Sequence, residues 1–305
     1  MSIRVFTGRP RAPAEARGAG VALGVLDGVH RGHQVVIAAA RREGRALGAA
    51  VFEPHPRHYF RPDGPPFRIQ NAAQRVRALE AAGVAFVFQM AFDRSIAECP
   101  ADDFARTILA EEIGAAHVSV GADFQYGKDR GGDVRTLARA GEALGFTVSV
   151  TPPVMENGQR ISSTAIRALI GEGKVADAAA LLTRPFAIEG EVITGAQRGR
   201  TIGFPTANIG LSDYVRPKYG VYAVRTTVDG ARVNGVANVG VKPTVGAAPK
   251  PLLEAHLFDY AGDLYGKTLE VDLIAFLRPE QKFESFDALK AQILTDAEAA
   301  KNALT

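Results

Sequence analysis

Short β-rich runs alternate with helical stretches up to residue 182, and this alternation is the feature that most narrows the possible folds. The β-rich runs cover residues 21–26, 49–52, 84–90, 117–121 and 146–150. The helical stretches cover residues 34–47, 72–82, 101–112, 134–144, 164–170 and 175–182. Such alternation is typical of βαβ units, whose strands form a parallel sheet with binding sites at the carboxyl ends of the strands. We therefore expect an α/β domain with a Rossmann-like parallel sheet at residues 1–183.

The pattern changes after Arg184-Pro185. Glycine and proline turns now separate short strands, which are expected at residues 187–194, 220–228, 233–239, 253–258 and 269–276. One amphipathic stretch, residues 286–300, follows them with its apolar residues at helical spacing. Evenly spaced strands followed by a single helix favour a small β-barrel closed by that helix. The second expected domain therefore spans residues 184–305.

Charge and composition exclude several classes of protein. The 305 residues include 36 Lys or Arg and 33 Asp or Glu, a net charge of +3, and no basic cluster stands apart from the rest. Neither nucleic acid nor a membrane is therefore an expected partner. Uncharged runs such as residues 81–92 are too short for a membrane helix. The first residues do not read as a secretory signal, and the lone Cys99 cannot form an internal disulfide, so we expect a soluble, cytoplasmic protein.

Three glycine-rich stretches fall short of familiar nucleotide-binding motifs. Residues 121–128 have one residue too many between the glycines of a P-loop, and Asp129 stands where that motif needs Ser or Thr. Residues 262–268 end in G-K-T but have too few residues between their glycines. The glycines at residues 18–24 overlap the first expected strand instead of following it. None of the three predicts a phosphate site.

A fourth stretch, residues 24–33, reads G-V-L-D-G-V-H-R-G-H and joins the first expected strand to a helix. Free backbone N–H groups and the positive end of the helix dipole make such a junction a ready anion site. Gly28 and Gly32 leave room for a phosphate, and His30 and His33 lie one helical turn apart. A helix cap with two surface histidines is the alternative, but the flanking glycines favour stabilisation of negative charge on a phosphate.

Hydroxyl groups precede another expected helix at Ser162, Ser163 and Thr164, with Arg167 one turn later. These hydroxyls can cap the helix, and capping alone is one interpretation. The same groups also suit the outer phosphates of ATP, whose charge Arg167 can neutralise. His55 stands between two prolines, where a rigid loop and a nucleotide contact are equally good interpretations.

The second expected domain opens with residues 199–208, which read G-R-T-I-G-F-P-T-A-N. Gly199 and Gly203 allow a tight loop close to phosphates. On an extended segment, Thr206 and Asn208 would place two neutral oxygens on one face. Such oxygens suit Mg²⁺ held jointly with nucleotide phosphates. A simple turn is the alternative, and it would be preferred on these two residues alone.

These stretches together resemble one family, the bacterial bifunctional riboflavin kinase/FMN adenylyltransferases, or FAD synthetases. Residues 24–33 resemble the family's G-x-F-D-G-x-H-x-G-H box, which carries the H-x-G-H signature of the nucleotidyltransferase superfamily, except that Leu26 replaces the usual Phe. In family order follow the boxes F-x-P-H-P at residues 52–56, G-x-D-F-x-F-G at 121–127 and R-I-S-S-T-x-I-R at 160–167. Residues 199–208 resemble the G-R-x-x-G-F-P-T-A-N box of the riboflavin kinase barrel.

The resemblance implies an FMN adenylyltransferase in the first domain and a riboflavin kinase in the second. It implies catalytic roles for His30, His33 and Glu254, the last as the base that activates riboflavin. Residues implied to bind ATP in the first domain are Gly28, Gly32, His55, Ser163, Thr164 and Arg167, with Asp123 as a candidate flavin contact. In the second domain, the resemblance implies that Gly199, Arg200 and Gly203 bind ATP. It implies that Thr206 and Asn208 bind Mg²⁺.

The expected ligands are therefore riboflavin, FMN, FAD and ATP, with Mg²⁺ as the cofactor. Two alternatives stay open from the sequence: one domain is inactive, or the protein is a flavin-binding regulator without chemistry. Intact His30, His33 and Glu254 favour an enzyme, because a pure binder has no evident need for them. The sequence does not determine the oligomeric state.

Overall fold

The computed structural model describes residues 2–9, 11–194, 204–244 and 247–305. The chain forms two compact units. The first contains Met1–Pro65 and Ala72–Ser162, and the second contains Pro66–Asn71 and Ser163–Thr305. The domain boundary expected between residues 183 and 184 stays a prediction. In the described ranges, no helix combines the length and apolar character needed to cross a membrane.

The first unit is built on a six-stranded sheet in which every pairing is parallel. Its strands are β1 (Arg4–Gly8), β2 (Gly20–Leu23), β3 (Leu47–Glu53), β4 (Phe86–Ala91), β5 (His117–Gly121) and β8 (Thr147–Thr151), in the order β1-β4-β3-β2-β5-β8. The expected Rossmann-like parallel sheet is confirmed. Strand β1 was not expected, because its five residues contain only a short apolar run, Val5-Phe6. It lies at the sheet edge, where Val5 is 40% exposed.

Helices lie between these strands along the chain, and two short hairpins lie before and after β8. The helices are α1 (Arg31–Ala39), α2 (Pro56–Phe60), α3 (Ala72–Ala81), α4 (Arg94–Ala97), α5 (Ala101–Asp103), which continues as a π-helix (Phe104–Ile113), a 3₁₀ turn (Lys128–Arg130) and α6 (Val134–Leu144). The hairpin strands are β6 (Gln125–Tyr126) with β7 (Gly132–Asp133), and β9 (Met155–Glu156) with β10 (Gln159–Arg160). Helix α1 packs against β2, β5 and β8, and α6 packs against β8.

The expected ends of the first strand and of the helix after it were wrong. The strand expected to reach Leu26 ends at Leu23, because Leu26 has a φ of 50° that bends the chain out of the sheet. The helix expected to reach residue 47 ends at Ala39. Leu47 instead begins β3, where it pairs with Gly20, so the chain must leave the helix and turn before that point.

The second unit contains a closed barrel, as expected. Its strands are β11 (Phe186–Ile193), β12 (Ala207–Gly210), β13 (Gly220–Val228), β14 (Ala231–Thr244), β15 (Ala247–Leu257) and β16 (Thr268–Pro279), in the order β11-β12-β15-β14-β13-β16. Helix α9 (Phe286–Ala303) follows, and its Ala300 and Leu304 pack against Val221 and Ala223 of β13. The Asp296 carboxylate of the same helix accepts hydrogen bonds from Nε and Nη2 of Arg278 at 2.8 and 2.7 Å. The expected closing helix is therefore confirmed.

Helices α7 (Ser163–Gly171) and α8 (Val175–Leu182) pack with the barrel. Ile166, Ile170 and Val175 are buried in the same apolar core as barrel residues such as Ile188. A segment before α3 does the same, since the backbone N–H groups of Phe67 and Arg68 donate to the carbonyl of Asp213 at 3.0 and 2.9 Å. These segments therefore belong to the second unit through packing that the sequence pattern did not reveal.

Candidate active sites

The first candidate site lies at the carboxyl edge of the parallel sheet. After β2, strands β3 and β4 are added on one side of β2, whereas β5 pairs with β2 on its other side. Such a reversal of strand order opens a crevice in which α/β proteins bind ligands. The loops after β2, β3 and β5 carry His30, His55 and Asp123, respectively. Topology therefore brings three of the predicted positions to one edge.

His30 and His33 form one compact group at the start of α1. His30 caps the helix, and its Nδ1 accepts the backbone N–H of His33 at 3.3 Å. The two imidazole rings stack with centroids 3.6 Å apart and planes 19° apart. His30 is only 4% exposed. The histidines of the H-x-G-H signature are thus both a helix cap and a paired group at the positive end of a helix.

The two glycines of this loop are required for different reasons, one for its backbone conformation and the other for lack of space. Gly28 has a φ of +94°, a left-handed conformation that a side chain rarely adopts. Gly32 lies against the His30 ring, where an added Cβ would come within 3.1 Å of Cε1 and Nδ1 and within 3.4 Å of the carbonyl of Ile161. The loop thus brings the backbone of Gly32 close to the imidazole of His30. That the two glycines leave room for a phosphate stays a prediction.

His55 and Asp123 have local partners. His55 begins α2, and its Nδ1 accepts the backbone N–H of Arg57 at 3.0 Å, so it caps this helix much as His30 caps α1. The Asp123 carboxylate accepts a bond from Arg160 Nη2 at 2.7 Å. Asp123 is an exposed side chain in this pair. The role of Asp123 as a flavin contact stays a prediction.

The hairpin β9–β10 supplies charged partners that the sequence analysis did not assign. Arg160 of β10 pairs with Asp123, and Glu156 of β9 pairs with Arg31 in the first turn of α1. Arg160 opens the R-I-S-S-T-x-I-R box, so its place in that box was the available signal. Glu156 lies in no recognised box, and only the folded hairpin brings it to Arg31.

Ser163, Thr164 and Arg167 occupy the first turns of α7 in the second unit. Arg167 Nε donates to the carbonyl of Phe67 at 2.6 Å, and the guanidinium lies 5.5 Å from the centre of the Phe67 ring. Arg167 therefore also holds the segment before α3 against α7. The predicted contacts of these three residues with ATP stay predictions.

The second candidate site lies on the outward face of three neighbouring barrel strands. Ala207 and Ile209 of β12 point into the barrel core, as do Leu253 and Ala255 of β15, so the residues between them point outward. Asn208 of β12 stands directly opposite Glu254 of β15, and Asn238 of β14 stands opposite Glu254 on its other side. Directly opposed residues share a face of the sheet. The register thus brings Asn208 and Glu254, both predicted for the kinase site, side by side.

A pocket opens beside this row of residues. It is lined by Val192, Pro205, Thr206, Ala207, Asn208, Ala255, Leu257, Tyr260, Gly262, Asp263, Leu264 and Tyr265. The amide Nδ2 of Asn208 donates to the carbonyl of Thr206 at 3.3 Å. Nδ1 of His256 lies 2.9 Å from the carbonyl oxygen of Pro205. The His256 ring also makes an edge contact with the ring of Phe204. These contacts fix the chain just before β12. Gly199, Arg200 and Gly203 lie outside the described residues.

The donor set at this pocket fits Mg²⁺ bound mainly through a nucleotide. Thr206 and Asn208 contribute neutral oxygens, and Asp263 contributes a carboxylate to the lining. Magnesium is commonly held by few protein oxygens, together with water and substrate phosphates. Within the described ranges no group of three or more His, Cys, Asp or Glu side chains is arranged for a metal. These residues therefore do not form a complete coordination shell for a metal ion by themselves.

Comparisons with known proteins match both parts of the chain. Residues 12–165 match the family model for FAD synthetase, and residues 182–304 match the model for riboflavin kinase. The bifunctional riboflavin kinase/FMN adenylyltransferase of Escherichia coli K12 is 41% identical over 304 residues, 98% of this chain and 96% of the relative. The chain belongs to this bifunctional family. The family implied by the motifs is confirmed.

Other members of the riboflavin kinase/FMN adenylyltransferase family and one solved structure extend the match. The family protein of Pseudomonas fluorescens is 42% identical over 94% of this chain and 93% of its own. A crystal structure described as a macrolide-efflux protein from Streptococcus pneumoniae is 30% identical, with a TM-score of 0.86 over 98% of this chain and 99% of that one. The similarity therefore covers both units.

Proposed function

We propose that the second unit transfers the γ-phosphoryl group of ATP to the 5′-hydroxyl of riboflavin to make FMN. The first unit then joins FMN to the AMP part of ATP, releasing pyrophosphate and making FAD. This proposal rests on membership of the bifunctional family and on the residues that each unit presents. The expected ligands are accordingly riboflavin, FMN, FAD and ATP.

In the kinase unit, Glu254 accepts the proton of the riboflavin hydroxyl while the hydroxyl oxygen attacks the γ-phosphorus. The bond between the γ-phosphorus and the bridging oxygen of ADP breaks as the new P–O bond forms, and ADP leaves with that electron pair. The observation that carries this assignment is the strand register, in which Glu254 stands opposite Asn208, a residue that lines the pocket. Thr206 and Asn208 would hold Mg²⁺, which neutralises phosphate charge when bound. The remaining contribution of the protein is positioning, which dominates catalysis of phosphoryl transfer.

In the adenylyltransferase unit, an oxygen of the FMN phosphate attacks the α-phosphorus of ATP. The new P–O bond forms as the bond between the α-phosphorus and the pyrophosphate oxygen breaks, and pyrophosphate leaves with the electron pair of that bond. The attacking phosphate is already an anion and needs no strong base. The stacked pair His30 and His33, at the start of α1, supports a role in stabilising the charge that develops at phosphorus.

The other predicted residues complete the two sites as proposals. Gly28 and Gly32 leave the backbone open to phosphates, and Asp123 is the candidate flavin contact. For adenylyl transfer, the residues proposed to bind ATP are His55, Ser163, Thr164 and Arg167. For phosphorylation of riboflavin, they are Gly199, Arg200 and Gly203. A cytoplasmic location stays a prediction from the lone cysteine.

Chromatography of flavins tests both reactions in one experiment. Purified protein is mixed with riboflavin, ATP and Mg²⁺, and samples are taken over time. The expected result is FMN followed by FAD, and neither product forms when ATP is omitted. FMN without FAD contradicts the adenylyltransferase assignment, and binding of flavin without any conversion favours the regulator. A second reaction started from FMN measures the adenylyltransferase independently of the kinase.

A further inference from the structure

A buried arginine lies behind the carboxyl edge of the parallel sheet. Arg75 is on α3 and is 1% exposed, among the largest fully buried side chains of the described residues. A guanidinium stays charged at all relevant pH values, and burying a charge is costly unless it is paired and hydrogen-bonded. The contacts of the Arg75 guanidinium must therefore offset the cost of burying its charge, and these contacts indicate the role of the residue.

Hydrogen bonds connect Arg75 to the loop after β2 and to the end of β3. Nη1 donates to the carbonyl of Val25 at 3.3 Å and to the carbonyl of Phe52 at 3.1 Å. Nη2 donates to a carboxylate oxygen of Glu53 at 2.9 Å. Val25 lies in the turn that leads from β2 to His30, whereas Phe52 and Glu53 end β3. One guanidinium thus binds the chain ahead of the histidine pair and the chain ahead of His55.

The geometry requires arginine in particular. A guanidinium presents five N–H donors in a rigid plane, so it can bind two carbonyls and a carboxylate at once. The lysine ammonium is a compact point charge on a flexible stem and does not reproduce this fork. Stability alone does not require the pair, since well-packed apolar residues often replace a buried ion pair without loss.

We propose that Arg75 is a positioning residue for adenylyl transfer. It fixes the turn before His30 relative to the end of β3, so that His30, His33 and His55 keep one arrangement toward the phosphates of ATP. The inference rests on the proposed adenylyltransferase function of the first unit. It adds a residue that touches no substrate and acts through the loop after β2 and the end of β3.

Two variants and one matched control test the role. Arg75→Lys keeps the positive charge and loses the fork, and Arg75→Met loses both. Arg77→Lys changes an exposed arginine on the same helix, two residues away. For all three, initial rates of FAD formation from FMN are measured against ATP and FMN. The rate of FMN formation from riboflavin in the same samples reports on the second unit.

A structural readout separates positioning from activity. The chain has six histidines, so ¹³C-labelled histidine gives few ring signals, assigned with single His→Gln variants. We expect Arg75→Lys to shift the signals of His30, His33 and His55 and to leave that of His256 in place. In Arg77→Lys, all of these signals should stay where they are in the wild type.

The expected kinetic result is a kcat for FAD formation about tenfold to a hundredfold lower in Arg75→Lys, as for a misplaced catalytic group, with riboflavin phosphorylation unchanged. Unchanged kcat, or unchanged signals of the three histidines, overturns the proposal. Loss of the folded first unit in Arg75→Lys also overturns it, because the residue is then structural. If the wild type itself makes no FAD from FMN, the proposed function fails, and the ring signals still decide whether Arg75 positions the histidines.

Discussion

The His30 ring accepts the backbone N–H of His33 through Nδ1, while the two imidazole rings stack face to face. An accepting Nδ1 means that the neutral His30 ring carries its proton on Nε2. The ring thus has a donor on the atom opposite the cap. Such a donor, held on a rigid helix end, is suited to stabilising charge on a phosphate oxygen.

Replacing His30 should separate the two reactions. In His30→Ala, we expect FAD formation from FMN to fall about a hundredfold or more, as when a donor to a developing charge is removed. Riboflavin should still become FMN, which then accumulates. The measurement is flavin chromatography on the purified variant, with His58→Ala as a control on another helix. Loss of both products in a folded variant would contradict independent reaction centres.

Replacing Glu254 should have the opposite effect. Glu254→Gln keeps the shape of the side chain and removes the base, so phosphorylation of riboflavin should slow about a hundredfold to ten-thousandfold. Supplied FMN should still be converted into FAD at the wild-type rate. Glu298→Gln, at an exposed position on α9, is the matched control. A variant that phosphorylates riboflavin normally would exclude Glu254 as the base.

The stability of the protein should depend on pH through His117. Burial, and after it the charge of Arg42, lowers the pKa of His117 from 6.5 to about 4. The unfolded chain therefore binds more protons than the folded chain between pH 6.5 and pH 4. The free energy of unfolding should fall as the pH drops through this window, by up to about 3 kcal/mol, and this contribution should be constant above it.

Urea unfolding at several pH values, followed by circular dichroism, measures this effect in the wild type and in His117→Gln. The difference in free energy of unfolding between the two proteins should change with pH only below pH 6.5. The variant His58→Gln provides the comparison for a histidine elsewhere in the same unit. A pH dependence that persists unchanged in His117→Gln would assign it to other groups.

The contact between α9 and the barrel should depend on Asp296. Asp296 is 5% exposed and binds Arg278 through two hydrogen bonds, with Gln292 donating a third at 2.9 Å. Asp296→Ala leaves the Arg278 charge without its carboxylate, which should destabilise the protein by about 3 kcal/mol. Thermal unfolding measures the loss. In the double variant Asp296→Leu/Arg278→Met, much of the stability should return, because no unpaired charge remains.

Local sequence determined many of the helices and strands, and it predicted the residues of both candidate sites. The spacing of apolar residues predicted α6 and α8 with their observed bounds, and the glycines around His30 and His33 predicted the loop at the start of α1. Such features depend on neighbours along the chain, since helical periodicity, caps and left-handed turns are local properties. The ordered series of boxes carried the two predicted activities for the same reason, as each box is a short continuous stretch.

Tertiary structure alone decided which distant residues meet. Strand register placed Glu254 between Asn208 and Asn238, and packing placed α7 and α8 with the barrel. Arg75 reads as one charge on a helical stretch, and its role depends on carbonyls at the ends of two other segments. Pairing and burial are set by the whole chain at once, because a strand edge or a buried charge finds its partner only when remote segments pack together.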